Sequence, residues 1–461
     1  MSFLKRLKPG EKLRGRRSFS PARIIVVSFF LVICTGALLL KLPFATHTGY
    51  IAWEDAFFTA TSATCVTGLV VKDTYQYFTL FGQLVIITLI QIGGLGLVTI
   101  VAFINFAIGK RLGLRNMQLA SETTGTGEVF SAKRQIVTIV KTALLFEVSG
   151  IVLLGFYFVP RFGAEGIYIS IFLGISMFCN AGFDILSRGS TPFMSLTEYA
   201  NQPYPLIIIA LLIICGGLGF VVWHDIAQWR RTKRLMLHTK IVLITTGLLL
   251  VGGTVGVYLM EFTNPVTLGS QPVGVQWLSA FFQAVSARTA GANSIDCAAM
   301  NDITKLFMSM LMFMGASPGS TGGGIKTTTV AVIVLTVISV VRGKEDTVIF
   351  GRRIDKQTVY KSLTIFVLSF VVLLAAAMAI YYNTGPAIDE IDSLFEASSA
   401  FGTVGLTIGA TTSMNLIAKL ATMLTMYIGR CGPVALAASL TLRGSKNHKH
   451  EILPEGRIMV G

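Results

Sequence analysis

Four stretches of the chain repeat one short pattern that ends in glycine: FFTATSATCVTG at 57–68, IFLGISMFCNAG at 171–182, FFQAVSARTAG at 281–291 and LFEASSAFGTVG at 394–405. The terminal glycines are separated by 114, 109 and 114 residues. An aromatic residue lies ten positions before each glycine, at Phe58, Phe172, Phe281 and Phe395. Serine lies six positions before three of them, at Ser62, Ser176 and Ser399, and Ser286 is one residue out of register. Four copies of one unit in a single chain can enclose a central axis.

The composition is that of a membrane protein. Of the 461 residues, 53% are hydrophobic and 13% are charged, and the mean hydropathy is +0.69. A soluble domain of this length needs more charge to cover its surface. Most of the nearly uncharged runs reach the roughly 20 residues that a helix needs to cross a bilayer. They predict eight spans, at 24–40, 74–109, 142–160, 203–223, 241–260, 306–341, 362–388 and 420–442.

The start of the chain has two interpretations. A basic segment, 1–23, precedes an apolar run, as in a signal peptide. Lys41 and Pro43 follow that run directly, and further spans continue throughout the chain, so an uncleaved first helix is the better interpretation.

Lysine and arginine residues predict the orientation. The segments 1–23, 109–135, 224–240, 342–361 and 443–461 hold 28 of them, whereas the alternating segments hold 6. Both termini are therefore expected in the cytoplasm. The outer segments also carry 13 acidic residues, which favours a cation pathway because an acidic vestibule concentrates cations. For any single carboxylate, such as Glu198, a scattered solubilising role is the alternative.

Each repeated pattern lies in an outer segment and contains a short apolar stretch, at 56–63, 169–178, 279–286 or 394–400. Such a stretch is too short to cross a bilayer but can enter and turn back, and irregular backbone at that depth survives only beside protein or water. We therefore expect an all-α membrane protein of four tandem helix–pore loop–helix repeats around a central pore, with eight transmembrane helices and four re-entrant pore helices. The expected repeats are 1–132, which includes an N-terminal cytoplasmic segment, 133–235, 236–355, and 356–461, which includes a C-terminal cytoplasmic tail.

The last residues of each pattern are the predicted walls of a potassium selectivity filter. Dehydrated potassium needs a ring of backbone carbonyl oxygens, and glycine reaches φ > 0 where a residue with Cβ pays about 1 to 2 kcal/mol. A lone glycine indicates a turn or close packing more simply, but four equivalent glycines favour a common role. The predicted filter residues, whose backbone carbonyls would bind potassium, are Val66, Thr67, Gly68, Asn180, Ala181, Gly182, Thr289, Ala290, Gly291, Thr403, Val404 and Gly405.

The side chains three residues before each glycine differ: Cys65, Cys179, Arg288 and Gly402. A guanidinium that pointed into a cation filter would repel the ion by about 4 kcal/mol at a distance of ~4 Å and an effective dielectric of ~20. We therefore expect Arg288 to point behind the filter onto an acidic partner.

Glycines also recur in the second helix of each unit, at Gly93, Gly216, Gly315 and Gly429. For Gly93 and Gly216 we expect close helix packing. The run 306–341 has 36 residues, and as one helix of about 54 Å it would be too long for a hydrocarbon core of about 30 Å. Its central stretch GASPGSTGGG at 315–324 cannot remain helical.

We therefore predict a helix that breaks inside the membrane beside a cavity, below the filter, where small residues can form a gate. A phosphate-binding loop at 319–327 is the rival interpretation, but Ile325 interrupts its motif and no strand precedes it. The predicted gate residues are Gly315, Ala316, Ser317, Pro318, Gly319, Ser320, Thr321, Gly322, Gly323, Gly324, Lys326 and Arg430.

Arg430 lies centrally in the last predicted span, where a charge costs at least about 2.5 kcal/mol and normally faces water. On the pore side it would raise the barrier to potassium and hold the glycine loop through carbonyl hydrogen bonds. A buried pair with Glu147 is the alternative.

These motifs resemble the Trk, Ktr and HKT superfamily of potassium transporters. The resemblance covers essentially the whole chain and rests on the broken third repeat and on ATCVTGL at 63–69, CNAGF at 179–183, SARTAG at 286–291, SAFGTVGL at 399–406 and IGRCGP at 428–433. Within the superfamily the chain is most similar to KtrB, the membrane subunits of bacterial Ktr systems, because the first filter follows the first span.

The resemblance implies potassium uptake across a bacterial plasma membrane by a homodimer with one pore per subunit, with sodium as an activator and with the gate at 315–324 and Arg430. Glycine at position 68 matches potassium-selective members of the superfamily. The resemblance also implies a cytoplasmic ring of RCK subunits, of KtrA or KtrC type, that bind ATP or ADP.

The inner segments between spans have only 17 to 27 residues, too few for a sensor domain, so regulation is expected to come from such a partner. Arg230, Arg231, Lys233 and Arg234 fit either that partner or membrane lipids. The net charge of +15 belongs mainly to the inner face and does not indicate nucleic-acid binding. No organic cofactor is expected in this chain.

Two other function classes are weaker. A symporter for an organic solute needs polar sites between inverted repeats, whereas these repeats all run the same way. A membrane enzyme needs a nucleophile with a partner base or a ligand set, and the five histidines form none. We therefore expect a transporter rather than an enzyme.

Overall fold

The protein is mostly helical. The computed structural model describes residues 21–96, 99, 132–188, 192–385 and 388–433. Two short strands, β1 (Val348–Ile349) and β2 (Arg352–Arg353), form a hairpin that the all-α expectation did not include. The helices are α1 (Pro21–Leu40), α2 (Trp53–Cys65), α3 (Thr74–Tyr77), α4 (Leu80–Leu95), α5 (Ala132–Phe162), α6 (Ala164–Phe178), α7 (Pro203–Leu218), α8 (Phe220–Thr232), α9 (Leu237–Glu261), α10 (Val273–Ser286), α11 (Asp302–Phe313), α12 (Thr327–Val341), α13 (Lys356–Thr384), α14 (Glu390–Gly402) and α15 (Leu416–Cys431).

Among the described residues, four helices are long and apolar enough to cross a membrane: α1, α5, α9 and α13. They coincide with the first, third, fifth and seventh predicted spans. The predicted N-terminal cytoplasmic segment, the far ends of the second and eighth spans, and the C-terminal tail lie outside the described residues. Within the described part, α4 and α15 have 16 residues each, fewer than a full span needs.

The fourth predicted span, 203–223, is not one straight helix. α7 ends at Leu218, α8 begins at Phe220, and the two axes differ by 94°. Gly219 joins them with φ 94° and ψ 144°, a conformation that a helix cannot continue through. We call this junction the elbow. The hydropathy of the run did not predict it because apolar residues continue on both sides of Gly219.

The sixth predicted span is broken at its centre, as the sequence predicts. α11 ends at Phe313 and α12 begins at Thr327, with non-helical residues 314–326 between them. We call residues 314–326 the central loop.

The helices close into a ring. α4 packs on α6, α7 on α10, α11 on α14, and α15 returns to α2. A helix therefore lies at each repeated sequence pattern, in α2, α6, α10 and α14, and each is contacted by the second helix of the preceding repeat. The aromatic side chains Phe58, Phe172 and Phe395 are buried at 0–1% exposure. In the third repeat Phe282, not Phe281, is the fully buried one, so the register offset of Ser286 extends back along α10.

Three recurrent glycines allow this packing. A Cβ on Gly93, Gly216 or Gly429 would collide with the carbonyl oxygen of Thr64, Phe178 or Phe401, respectively. Each of these carbonyls lies four residues before the glycine that ends its pattern. The close packing expected for Gly93 and Gly216 is therefore present, and Gly429 shares it. In the third repeat Gly315 instead abuts Gly323 within the central loop.

We expect Gly93→Ala to destabilise the protein by about 2 kcal/mol, because the new methyl group must displace the backbone of α2. Gly252→Ala in α9 is the matched control, since a Cβ there meets nothing within 4 Å and alanine favours helix over glycine by about 1 kcal/mol. Thermal unfolding in detergent, followed by size-exclusion chromatography, measures both. Equal midpoints for the two variants would contradict the packing role of Gly93.

Candidate functional site

The four patterns end in the same backbone conformation. Gly68, Gly182, Gly291 and Gly405 have φ values of 94°, 69°, 78° and 101°. The residues two positions earlier, Val66, Asn180, Thr289 and Thr403, also have positive φ, between 51° and 74°. Positive φ is uncommon for residues with a Cβ and is a genuine outlier for β-branched ones. Because positive φ recurs at four equivalent positions, the four patterns share one local backbone conformation.

The four glycines form a closed ring. A Cβ on Gly68 would collide with the carbonyl of Ala181, one on Gly182 with Ala290, one on Gly291 with Val404, and one on Gly405 with Thr67. Each glycine thus abuts the residue just before the next glycine, and the fourth returns to the first. Four backbone carbonyls meet four Cα atoms around one axis, which is the arrangement that can replace the hydration shell of a dehydrated monovalent cation.

Serine residues hold these walls to their helices. The backbone carbonyls of Ser62, Ser176 and Ser399 accept hydrogen bonds from Thr67, Ala181 and Val404 N–H groups at 2.8 Å, and Ser286 accepts from Ala290 at 2.9 Å. The hydroxyls of Ser62 and Ser399 also accept from the N–H groups of Gly68 and Gly405, at 3.1 and 3.0 Å. These bonds fix the N–H groups of the four segments to the preceding helices.

The residues three positions before the glycines have unlike surroundings. Cys179 Sγ lies 3.5 Å from Gln91 Oε1, and Gln91 Nε2 donates to the buried Glu147 at 2.9 Å. Gly402 abuts the carbonyl of Met312 at the end of α11. The four walls therefore share a backbone but not a chemical environment behind it.

Arg288 does not have the acidic partner expected for it. Its side chain is buried, its Nε has no hydrogen-bond partner, and no ion pair joins it to a carboxylate in the described ranges. The acids of the same outer segment are engaged elsewhere. Glu261 accepts from Asn301 N and from the hydroxyls of Thr267 and Thr304, and Asp302 lies 3.8 Å from Lys305.

The central loop lies directly against the walls. Gly323 N–H donates to Thr403 Oγ1 at 3.1 Å, and Thr321 Oγ1 donates to the carbonyl of Phe178 at 3.2 Å. A Cβ on Gly322 would collide with Thr289 Oγ1. The loop therefore contacts the second, third and fourth repeats and fills the space beside the ring.

Internal bonds make this loop compact. Ala316 N–H donates to Gly323 at 3.3 Å, and Lys326 Nζ donates to Gly322 at 2.7 Å. Ser320 Oγ donates to Ser317 at 2.6 Å. The predicted gate residues around Pro318 are thus brought together in one folded segment.

Arg430 connects the central loop to the first repeat. Its guanidinium donates to the carbonyls of Thr321 and Gly93, and lies 3.5 Å from that of Gly94. The described residues show no ion pair between Arg430 and Glu147. Of the two interpretations from the sequence, the structure shows the carbonyl contacts of the glycine loop and not the buried pair.

Sequence reasoning missed two ion pairs between repeats. Lys419 Nζ lies 2.7 Å from Asp55 Oδ1, and Lys305 Nζ lies 2.8 Å from Asp392 Oδ1. Both lysines follow their repeat's glycine by 14 residues, and both aspartates precede theirs by 13. This shared spacing was the available signal. Between the first and second repeats, Tyr168 Oη donates to Gln83 Oε1 at 2.9 Å.

Two carboxylates lie shortly after the first two walls. Asp73 is buried and accepts from the N–H groups of Tyr75 and Phe193, at 2.9 and 2.8 Å. Asp184 accepts from Leu186 N–H at 3.1 Å. Burial raises the pKa of Asp184 to about 7, and the charge of Asp73 adds to the rise. Negative charge therefore lies close to the ring, and part of it is lost as the pH falls below neutral.

Lys419→Met should lower the free energy of unfolding by about 3 kcal/mol, because it leaves Asp55 buried without its closest partner. Combining it with Asp55→Asn should cost less than the sum of the two single changes. A double-mutant cycle of unfolding free energies measures this, with the exposed Lys344→Met as the control. Additive costs in the cycle would show that the pair contributes nothing.

Comparison with known proteins gives one consistent result. The family model described as "TrkH: Cation transport protein" matches residues 8–449. The chain is 42% identical to the Ktr system potassium uptake protein B of Vibrio alginolyticus, over 93% of this chain and 92% of that protein. It is 38% identical to the protein of the same name from Bacillus subtilis, over 96% and 97%.

Two further matches agree with these. The chain is 38% identical to the potassium/sodium uptake protein NtpJ of Enterococcus hirae, over 98% of this chain and 99% of that protein. The crystal structure of the potassium transporter TrkH from Vibrio parahaemolyticus superposes with a TM-score of 0.70, covering 93% of this chain and 86% of that one. At 18% identity this last match shows a shared fold.

Proposed function

Because the chain belongs to the TrkH family of cation transport proteins, a family of membrane transporters and not of enzymes, we propose that it takes up potassium through one pore lined by the four glycine walls. The closed ring of Gly68, Gly182, Gly291 and Gly405 carries this proposal. It presents backbone carbonyls, which bind a dehydrated cation without adding net charge.

The preference for potassium over sodium is assigned to the twelve filter residues predicted from the sequence. Positive φ at Val66, Asn180, Thr289 and Thr403 supports the assignment, because it turns successive carbonyls toward one side. The relatives named for potassium uptake and for potassium/sodium uptake support these ions as the cargo. We further propose that sodium stimulates the uptake of potassium.

The central loop and Arg430 are proposed as the gate. The loop fills the space against three of the walls, and Arg430 fixes it to α4 through carbonyl hydrogen bonds. Moving the loop requires breaking these bonds and those of Gly323 and Thr321. An obstacle held by a small number of polar contacts can be moved by a modest input of free energy.

We propose the assembly and placement that the resemblance implies. Relatives named as components of a Ktr system support a regulatory partner, which we propose to be a cytoplasmic RCK ring of KtrA or KtrC type that binds ATP or ADP. The subunit would form a homodimer in a bacterial plasma membrane, with both termini in the cytoplasm. Its pore would consist of the four repeats 1–132, 133–235, 236–355 and 356–461.

Gly68→Ser should lower the potassium-over-sodium uptake ratio by about tenfold, equivalent to about 1.4 kcal/mol, because φ is +94° and a Cβ would push against the Ala181 carbonyl. Uptake of potassium, rubidium and sodium in a cell without its own potassium uptake systems measures the ratio. Gly274→Ser in α10 is the control, since a Cβ there meets nothing within 4 Å. An unchanged ratio in a folded Gly68→Ser protein would remove this residue from the filter.

Arg430→Ala, or a deletion that shortens 319–324, should raise rubidium flux several-fold because either change removes a contact that holds the loop. Arg430→Lys keeps the charge but cannot bridge Thr321 and Gly93 in the same way, so its flux should lie between those of the parent and Arg430→Ala. Flux into vesicles containing the purified protein measures all three. If Arg430→Ala and the deletion within 319–324 both fold and both carry less flux than the parent, the loop is not an obstacle.

A further inference from the structure

The elbow between α7 and α8 is bonded directly to the central loop. Phe220 N–H, the first of α8, donates to the Gly319 carbonyl at 2.9 Å. On the other side of Gly219, the carbonyls of Gly217 and Gly216 accept from Ser317 and Thr321 N–H groups at 3.1 and 3.2 Å. Two of these backbone hydrogen bonds join the loop to the end of α7 and one joins it to the start of α8, so both helices of the elbow and the loop form one mechanical unit.

Aromatic contacts extend this unit to the ring. Trp223 of α8 packs on Phe146 with ring centroids 4.6 Å apart, and Phe146 stacks on Phe178 at 6.0 Å. Trp223 Nε1 also donates to the Cys215 carbonyl of α7 at 2.8 Å, which fixes the angle of the elbow. Phe178 is the residue whose carbonyl binds Thr321. A rotation of α8 is therefore transmitted both to the loop and to the end of α6.

The far end of α8 is basic, aromatic and exposed. Arg230, Arg231 and Lys233 have exposed side chains, Trp229 is 47% exposed, and Lys233 Nζ lies 5.5 Å from the Trp229 ring. The single acid of α8, Asp225, is 3% exposed and is bonded to Met236 N–H at 2.9 Å. Asp225 therefore does not pair with the basic side chains of this end, and no ion pair to Arg230, Arg231 or Lys233 forms within the described part of the chain.

The composition of this end and the bend of the elbow are typical of a helix at a membrane surface. α7 is an apolar helix with exposed Ile207 and Leu211, and the 94° bend turns α8 away from the direction of α7. A helix that lies along a membrane surface typically carries tryptophan beside lysine and arginine, where the cations meet lipid phosphates. Exposed positive charge next to an exposed indole is complementary to anionic phospholipid.

We propose that Arg230, Arg231, Lys233 and Trp229 bind anionic phospholipid headgroups, and that this contact, through the elbow, holds the central loop against the ring. The regulatory half of the proposal rests on the gating role proposed above, whereas the binding half does not. Anionic lipid stabilises the loop position that the structure describes, so it lowers ion flux.

Binding is tested first, without transport. Brominated phosphatidylglycerol in phosphatidylcholine vesicles should quench the fluorescence of Trp229 more than brominated phosphatidylcholine at the same fraction, measured as the difference between the parent and Trp229→Phe. Arg230→Gln, Arg231→Gln and Lys233→Gln combined should remove this excess. The control triple variant changes Arg342, Lys344 and Lys356, which are exposed between the end of α12 and the start of α13, to glutamine and should keep it.

Flux is tested second. Rubidium flux through the parent should be lower by about threefold or more in vesicles rich in phosphatidylglycerol than in pure phosphatidylcholine. Each basic residue near an anionic surface adds to the free energy of lipid binding. The basic triple variant should show the same flux in both. Trp223→Phe loses the hydrogen bond across the elbow and should keep lipid quenching but lose most of the flux response.

Equal excess quenching in the parent and the basic triple variant would overturn the binding half. Normal quenching without any lipid effect on flux would overturn the regulatory half. If the loop-shortened and Arg430 variants show no gating effect while quenching persists, the gate assignment fails and the binding site stands. A lipid response that requires an added cytoplasmic protein would assign this end of α8 to a protein partner and overturn the proposal.

Discussion

The contact between the glycine backbone of one wall and the carbonyl of the next is the constraint on which the rest of the structure depends. Gly68, Gly182, Gly291 and Gly405 leave no room for a Cβ, so backbone alone sets the size of the ring. Holding four residues with side chains at positive φ costs of order 1 to 3 kcal/mol each. This cost is offset by contacts that hold the conformation in place. They come from the surrounding helices, the serine hydrogen bonds and the buried phenylalanines.

Much of this arrangement is predictable from the sequence because the repeat contains glycine at positions where the backbone conformation excludes other residues. Glycine at four equivalent positions predicted a positive-φ backbone shared by the four repeats, and GASPGSTGGG predicted the break between α11 and α12. The elbow at Gly219 was not predictable, because hydropathy reports only that residues are apolar and not the direction of the chain. Phe282 rather than Phe281 is the fully buried aromatic residue because the third pattern is one residue shorter than the others, and alignment on its glycine does not show where the missing residue falls.

The misjudged charges have a common cause. Arg288 was expected to point behind the filter onto an acidic partner, but Glu261 binds groups at the start of α11 and Asp302 lies beside Lys305. Two ion pairs that join different repeats, Lys305–Asp392 and Lys419–Asp55, connect residues 87 and 364 positions apart. They are neighbours only because the chain closes on itself. Closure is a property of the whole fold, so single segments do not reveal it.

The central loop fills space beside the ring, yet it is unusually rich in glycine. Five of the ten residues at 315–324 are glycine, and its attachments are mainly hydrogen bonds. Glycine gains more backbone entropy on release than any other residue. Freeing the loop therefore trades polar-bond enthalpy for chain entropy. The free energy needed to release such a loop falls as the temperature rises. Under the proposed gating role, warming would therefore open the pore, and ion flux would increase more steeply with temperature than ion diffusion alone does.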